Sequence, residues 1–123
     1  MNTNPVGWFE IYVQDMARAK QFYEAVFQVE LTRLNSPDVE LWSFPMDLDK
    51  WGAGGALVKM EGKSSGGNST LVYFSCEDCT VEASRIVATG GQIHRDKWSI
   101  GEYGFIVLAV DTEGNMFGLH SVR

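Results

Sequence analysis

At 123 residues, with 45% hydrophobic and 21% charged side chains, the chain suits one domain that buries about two thirds of its unfolded surface, and a second independent domain is not expected. No apolar run approaches the ~18 residues of a membrane span. The net charge of -6 comes from 16 acidic and 10 basic residues without a basic cluster, which argues against nucleic acid and anionic membranes as partners. Met1 to Pro5 carries neither a basic nor an apolar leader segment, so a cytoplasmic location is expected.

Val6 to Gln14 is rich in aromatic and β-branched residues and alternates as a strand does, with Trp8, Glu10 and Tyr12 on one face and Phe9, Ile11 and Val13 on the other. Asp15 offers a helix N-cap. Met16, Ala19, Phe22, Tyr23, Val26 and Phe27 then follow helical spacing. Strands are expected near Val29 to Leu34, Val39 to Phe44 and Ala53 to Met60, with a turn at Ser36-Pro37-Asp38.

Lys63 to Ser69 has the composition of a flexible, solvated linker. After it the same order returns: a strand from Thr70 to Cys76, a helix from Asp78 to Thr89 stopped by Gly90-Gly91, and strands near Gln92 to Trp98, Tyr103 to Val110 and Asn115 to His120. The hairpin from Trp98 to Tyr103 has the makings of a mobile lid. Cys76 and Cys79 sit at a strand–helix junction, as thioredoxin-like redox pairs do; two acidic residues between them oppose thiolate formation, and burial as small apolar residues explains them more simply.

The two halves align at an offset of 63 residues, with Asp15 on Asp78, Val13 on Cys76, Trp42 on Phe105 and Gly55 on Gly118. The unit is βαβββ, written twice. The fold class is therefore α+β, two βαβββ modules in tandem forming curved sheets with a concave cleft, in one domain: module 1 about 6–62, linker 63–69, module 2 about 70–123. Each module covers one sheet face with a helix and leaves the other free, so a homodimer is expected.

Phe9-Glu10 followed by Asp15-Met16-Ala17-Arg18-Ala19-Lys20-Gln21-Phe22-Tyr23 resembles the first-module signature of the vicinal oxygen chelate superfamily, which holds glyoxalases, bleomycin-resistance proteins and dioxygenases. Asp111-Thr112-Glu113-Gly114-Asn115 resembles its final hairpin. Gln28 stands where the family usually has Gly, and Thr112 where it often has Pro. The resemblance spans nearly the whole chain. It implies metal ligands on the first and fourth strands of each module, at positions that here are Trp8, Gly55, Leu71 and Gly118. None of these side chains supplies the carboxylate or imidazole that a divalent metal requires, so neither metal nor cofactor is expected.

Strand alternation from these positions puts Trp8, Glu10, Tyr12, Tyr73 and His120 on the concave face, with Trp42 and Phe105 as repeat-related aromatics beside them. Phe9, Ile11 and Val72 should face the helices. The expected function is binding of a small organic molecule in an aromatic cleft. The alternatives are a metal-independent lyase or isomerase with Glu10 or His120 as acid/base, and an interaction module without ligand. A carboxylate within an aromatic strand needs a partner or a use; for Glu10 the structural alternative is an ion pair with a lysine such as Lys59.

Overall fold

The aromatic run forms β1 (Trp8–Tyr12), and Asp15 opens α1 (Met16–Phe27). The Asp15 carboxylate accepts the Arg18 N–H at 3.1 Å, satisfying one of the donors that every helix start leaves without an intrahelical partner. Met16, Ala19, Phe22, Tyr23 and Val26 make a buried stripe along α1. Gln28 ends the helix in the left-handed conformation, φ 54° and ψ 49°, the geometry that favours glycine at this position. Its amide donates to the Ala25 carbonyl at 2.7 Å, a local tie that glycine could not make.

The computed structural model describes residues 6, 8–37, 39–47, 49–50 and 52–123. Met1 to Pro5 and Asp38 of the expected turn lie outside the described residues. β2 (Thr32–Leu34), β3 (Glu40–Ser43) and β4 (Gly54–Lys59) complete a sheet ordered β1-β4-β3-β2. The second half repeats it: β5 (Tyr73–Ser75), α2 (Cys79–Ile86), β6 (Gln92–Ser99), β7 (Phe105–Val110) and β8 (Met116–Ser121), ordered β5-β8-β7-β6. In each sheet the first and last strands of the unit run parallel, and the other pairs are antiparallel. Two four-stranded mixed sheets with two helices thus give the α+β fold that the duplicated pattern predicts.

One hydrophobic core serves both halves. Phe22 and Tyr23 of α1 meet the Phe117 ring of β8 at 6.0 and 5.7 Å between centroids. Phe74 of β5 lies 4.4 Å from Phe27 and 6.3 Å from Phe9. Such offset and edge-on aromatic contacts add to the burial that binds the halves together.

The internal repeat is less uniform than a constant offset of 63. Asp15 and Asp78 do cap the two helices, and Val13 and Cys76 donate equivalent backbone bonds to Val58 and His120. On the last strands, however, Leu57 stands opposite Ile11 as Leu119 stands opposite Phe74. That shortens the offset by one residue and makes Ala56, not Gly55, the counterpart of Gly118. On the third strands Trp42 pairs Leu57 as Val107 pairs Leu119, so Trp42 corresponds to Val107 and not to Phe105.

The segment expected to be a solvated spacer is instead laid onto the second sheet. Ser65 Oγ donates to the Glu113 carbonyl at 2.5 Å, and the Gly66 N–H donates to Asn115 Oδ1 at 2.6 Å. The Asn68 amide accepts the Met116 N–H at 2.9 Å and donates to the Met116 carbonyl at 2.9 Å, so a side chain stands in for a peptide group beside β8. Composition predicted polarity correctly but not that the polar groups would find protein partners. The expected lid is a 3₁₀ turn over Gly101–Tyr103, tied across its base by Ile100 N–H donating to the Gly104 carbonyl at 2.8 Å.

Candidate ligand-binding site

Phe9 and Ile11 point into the shared core, so the period of two along β1 sends Trp8, Glu10 and Tyr12 to the face turned away from the helices. There the Glu10 carboxylate accepts the Tyr12 hydroxyl at 2.8 Å and the Trp8 indole N–H at 3.3 Å. No ion pair to Glu10 forms among the described residues, and the expected pairing with Lys59 is absent from them. The hydrogen bond to Glu10, then partial burial and the Glu10 charge, raise the Tyr12 hydroxyl above its ordinary pKa.

β1 is an edge strand, as is β5, and a pocket of about 250 Å³ opens along the seam between β1, the residue 64–70 segment and the start of β8. Glu10 and Tyr12 contribute to one wall; Asn68, Ser69, Thr70 and Asn115 supply polar groups; the partly exposed Val72 and Met116 supply apolar surface, with the core residues Ile11 and Phe117 behind. Sequence reasoning missed Asn68, Thr70, Asn115 and Met116 in this lining. The family hairpin contained Asn115 as a signal, whereas the linker residues gave none, because composition marked them as solvated.

The hairpin Asp111 to Asn115 fixes the pocket's framework. The Glu113 side chain has no exposed surface and takes donors from five directions: Gln14 N–H (2.9 Å), Asp15 N–H (2.9 Å), Arg18 Nε (2.7 Å) and Nη2 (3.0 Å), and Thr112 Oγ1 (2.9 Å). Burial pushes its pKa up, but the Arg18 guanidinium and the backbone donors outweigh it and hold the carboxyl down at about 2. Asp111 accepts the buried Tyr23 hydroxyl at 2.7 Å, and the Tyr23 pKa rises far above its usual range through burial first and the Asp111 charge second. Asn115 Nδ2 donates to the Tyr12 carbonyl at 2.9 Å, closing part of the free edge of β1.

The other residues singled out by sequence do not converge on this pocket. Tyr73 is 46% exposed on β5, and its ring crosses the position of Gly118. His120 Nε2 donates to the Tyr103 carbonyl at 2.6 Å on the second sheet, so Glu10 and His120 stand on different sheets. Trp42 and Phe105, expected on the concave face, instead pack against the core on the helix side. Lys20 of α1 lies 4.8 Å over the Trp42 ring, and Phe105 pairs with Ser121, whose hydroxyl accepts the N–H of Cys79 in α2. Their faces follow from pairing within each sheet: Trp42 stands opposite the core residue Leu57, and Phe105 shares a face of β7 with the core residue Val107.

Cys79 is buried and Cys76 half-buried, both as free thiols. Burial, then the nearby Glu82 carboxylate, pushes the Cys76 thiol up to about 12, which leaves almost no reactive thiolate at neutral pH.

The positions that the family resemblance assigns to metal carry an exposed indole (Trp8), an exposed leucine (Leu71) and two glycines. Gly55 moreover faces the helix side, where the Phe9 ring occupies the space a side chain would need, and Ala56, the residue that the strand register places equivalent to Gly118, is no better a ligand. Among the described residues no group of three or more His, Cys, Asp or Glu side chains is arranged to hold a metal ion. The donor set does not fit a divalent metal.

Residues 6–119 match the family model of the Glyoxalase/Bleomycin resistance protein/Dioxygenase superfamily. The chain belongs to this superfamily. A search of curated protein sequences found no match. Solved structures share the fold at low identity. An antibiotic-binding protein from a Streptomyces species superposes with a TM-score of 0.75 at 18% identity, covering 98% of both chains. A glyoxalase-related enzyme from Fulvimarina pelagi gives 0.67 at 17% identity over 94% of this chain and 86% of that one. A glyoxalase I variant from Zea mays gives 0.74 at 21% identity over 94% of this chain. This superfamily member spans only 44% of that plant glyoxalase chain. No helix among the described residues is long and apolar enough to cross a membrane.

Proposed function

We propose that the protein binds a small organic molecule in the seam pocket without a resident metal. The observation that carries this reading is the pocket itself, where an oriented carboxylate, Glu10, shares a wall with Tyr12 above apolar side chains. The lining is rich in polar groups, those of Asn68, Ser69, Thr70 and Asn115 beside Glu10 and Tyr12, and placed polar groups of this kind fix the orientation of a bound small molecule. The full-length likeness to an antibiotic-binding protein accords with small-molecule binding on this fold. An acid–base mechanism with Glu10 or His120 has less support, because the His120 ring is committed to the Tyr103 carbonyl and no second carboxylate, His, Lys or Arg lines the pocket with Glu10 among the described residues. Native mass spectrometry of the purified protein is expected to show a mass increment that vanishes under denaturing conditions. A bare chain mass from independent preparations, together with turnover of an added carbonyl compound, would overturn the binding reading in favour of an enzyme.

The exposure of Trp8, Leu71 and Tyr73 supports a homodimer in which these surfaces are covered by a second chain. Sedimentation at micromolar concentration is expected to give twice the 13.7 kDa chain mass; a stable monomer would remove this part of the proposal. The two free thiols accord with a reducing compartment such as the cytoplasm.

A further inference from the structure

Glu10 is the only carboxylate, and no Lys, Arg or His is present, among the described residues lining the seam pocket. A carboxylate offers roughly four acceptor positions, and the Tyr12 hydroxyl and Trp8 indole use two of them. Both donors are neutral, so they aim the group without cancelling its charge. No basic side chain among the described residues stands within ion-pair distance of it. The Glu113 carboxylate differs, because it is buried against an arginine and accepts three further donor bonds, from Gln14, Asp15 and Thr112. Glu10 has its orientation fixed and no countercharge among the described residues.

A ligand entering this pocket would strip water from Glu10. An anion there would be repelled, and a neutral ligand would leave a desolvated charge with one added hydrogen bond at most. A ligand carrying an ammonium or amidinium group would supply the missing charge and a donor together. The partly exposed Val72 and Met116 in the same lining offer a limited apolar surface for a small hydrocarbon or aromatic body on the same molecule. The net charge of -6 adds a long-range attraction for cations.

We infer that the seam pocket selects small organic cations, an amine or amidine borne on an apolar or aromatic body, with Glu10 as the recognition group. This rests on the reading of the pocket as the ligand site. The test uses three probes of one shape and different charge, benzylamine, benzyl alcohol and benzoate, titrated at millimolar concentration into the isotopically labelled full chain and followed by backbone amide NMR. Benzylamine is expected to shift the Glu10, Thr70 and Met116 amides, to bind at least about tenfold more tightly than benzyl alcohol, and to weaken as salt is added. Benzoate is expected to leave these amides unmoved. In Glu10→Gln, which keeps the side-chain volume, the preference for amine over alcohol should vanish while the remainder of the amide spectrum is retained. Equal binding of alcohol and amine at these amides would overturn the charge selection and leave the pocket as the ligand site. No shift at these amides with any of the three probes would overturn both.

Discussion

Glu113→Ala is expected to lower folding stability by about 3 kcal/mol, the lower end of the range for removing one partner of a buried ion pair. The lower end applies because Arg18 is half-exposed and regains water when its partner is lost. The Gln14 and Asp15 N–H groups have less recourse, since both donate to Glu113 Oε1 at the entry to α1, and each buried donor left without an acceptor costs about 1–3 kcal/mol. Glu113→Gln isolates the charge. The folded carboxyl titrates at about 2, below the ~4.3 of a glutamate in an unfolded chain. Its stabilisation is therefore complete above the unfolded value and is lost as pH falls through the folded one. Urea denaturation of wild type and Glu113→Gln should differ by a constant amount from neutrality down to about pH 5, then converge towards about pH 2. The Asp78 carboxyl, held down at about 2 mainly by hydrogen bonds from Lys97 and Thr80, titrates over the same window in both proteins and drops out of the difference. A gap that does not narrow would mean that Glu113 acts through its shape alone.

That buried carboxylate was invisible to sequence reasoning for a definite reason. Asp15 and Asp78 could be read as caps because a cap acts on its own next few residues. Glu113 acts on Gln14, Asp15 and Arg18, almost a hundred positions away, and its hairpin could be recognised only by family likeness. The strand faces of β1 were legible because five consecutive residues alternate cleanly, and Phe9 and Ile11 do enter the core. Trp42 and Phe105 were misread because repeat kinship was taken as the guide to their faces, whereas pairing with Leu57 and alternation with Val107 and Ala109 set them toward the core. On the fourth strands the offset between modules falls one short of 63, and that one-residue change in register reverses the face of Gly55 relative to Gly118. The metal-vacant character of Trp8, Leu71 and Gly118 did not depend on register. The seam pocket needed the linker's hydrogen bonds to β8, which no local pattern encodes.

The reversal of face at Gly55 can itself be measured, since Gly55 and Gly118 were paired by sequence but meet different surroundings. A Cβ on either glycine would lie about 2.3 Å from an aromatic ring, that of Phe9 for Gly55 and that of Tyr73 for Gly118, so something must move in both variants. Neither backbone is in the left-handed region, and alanine is conformationally acceptable at both. The difference lies in the rings. Phe9 is held between Phe44 at 5.9 Å and Phe74 at 6.3 Å and packs on the core, so Gly55→Ala should cost roughly 1–3 kcal/mol as overpacking does. Tyr73 is 46% exposed and can swing into solvent. Its small displacement cost is offset by the about 0.4–1 kcal/mol that a Gly→Ala change gains from a stiffer unfolded chain, so Gly118→Ala should be close to neutral. Adding Phe9→Leu to Gly55→Ala should recover part of the loss, and a double-mutant cycle would report that coupling directly. Thermal and urea denaturation of the four proteins decides the matter. Equal losses at both glycines, or no coupling between positions 9 and 55, would return Gly55 to the face away from the helices and restore the single offset of 63 to the two modules.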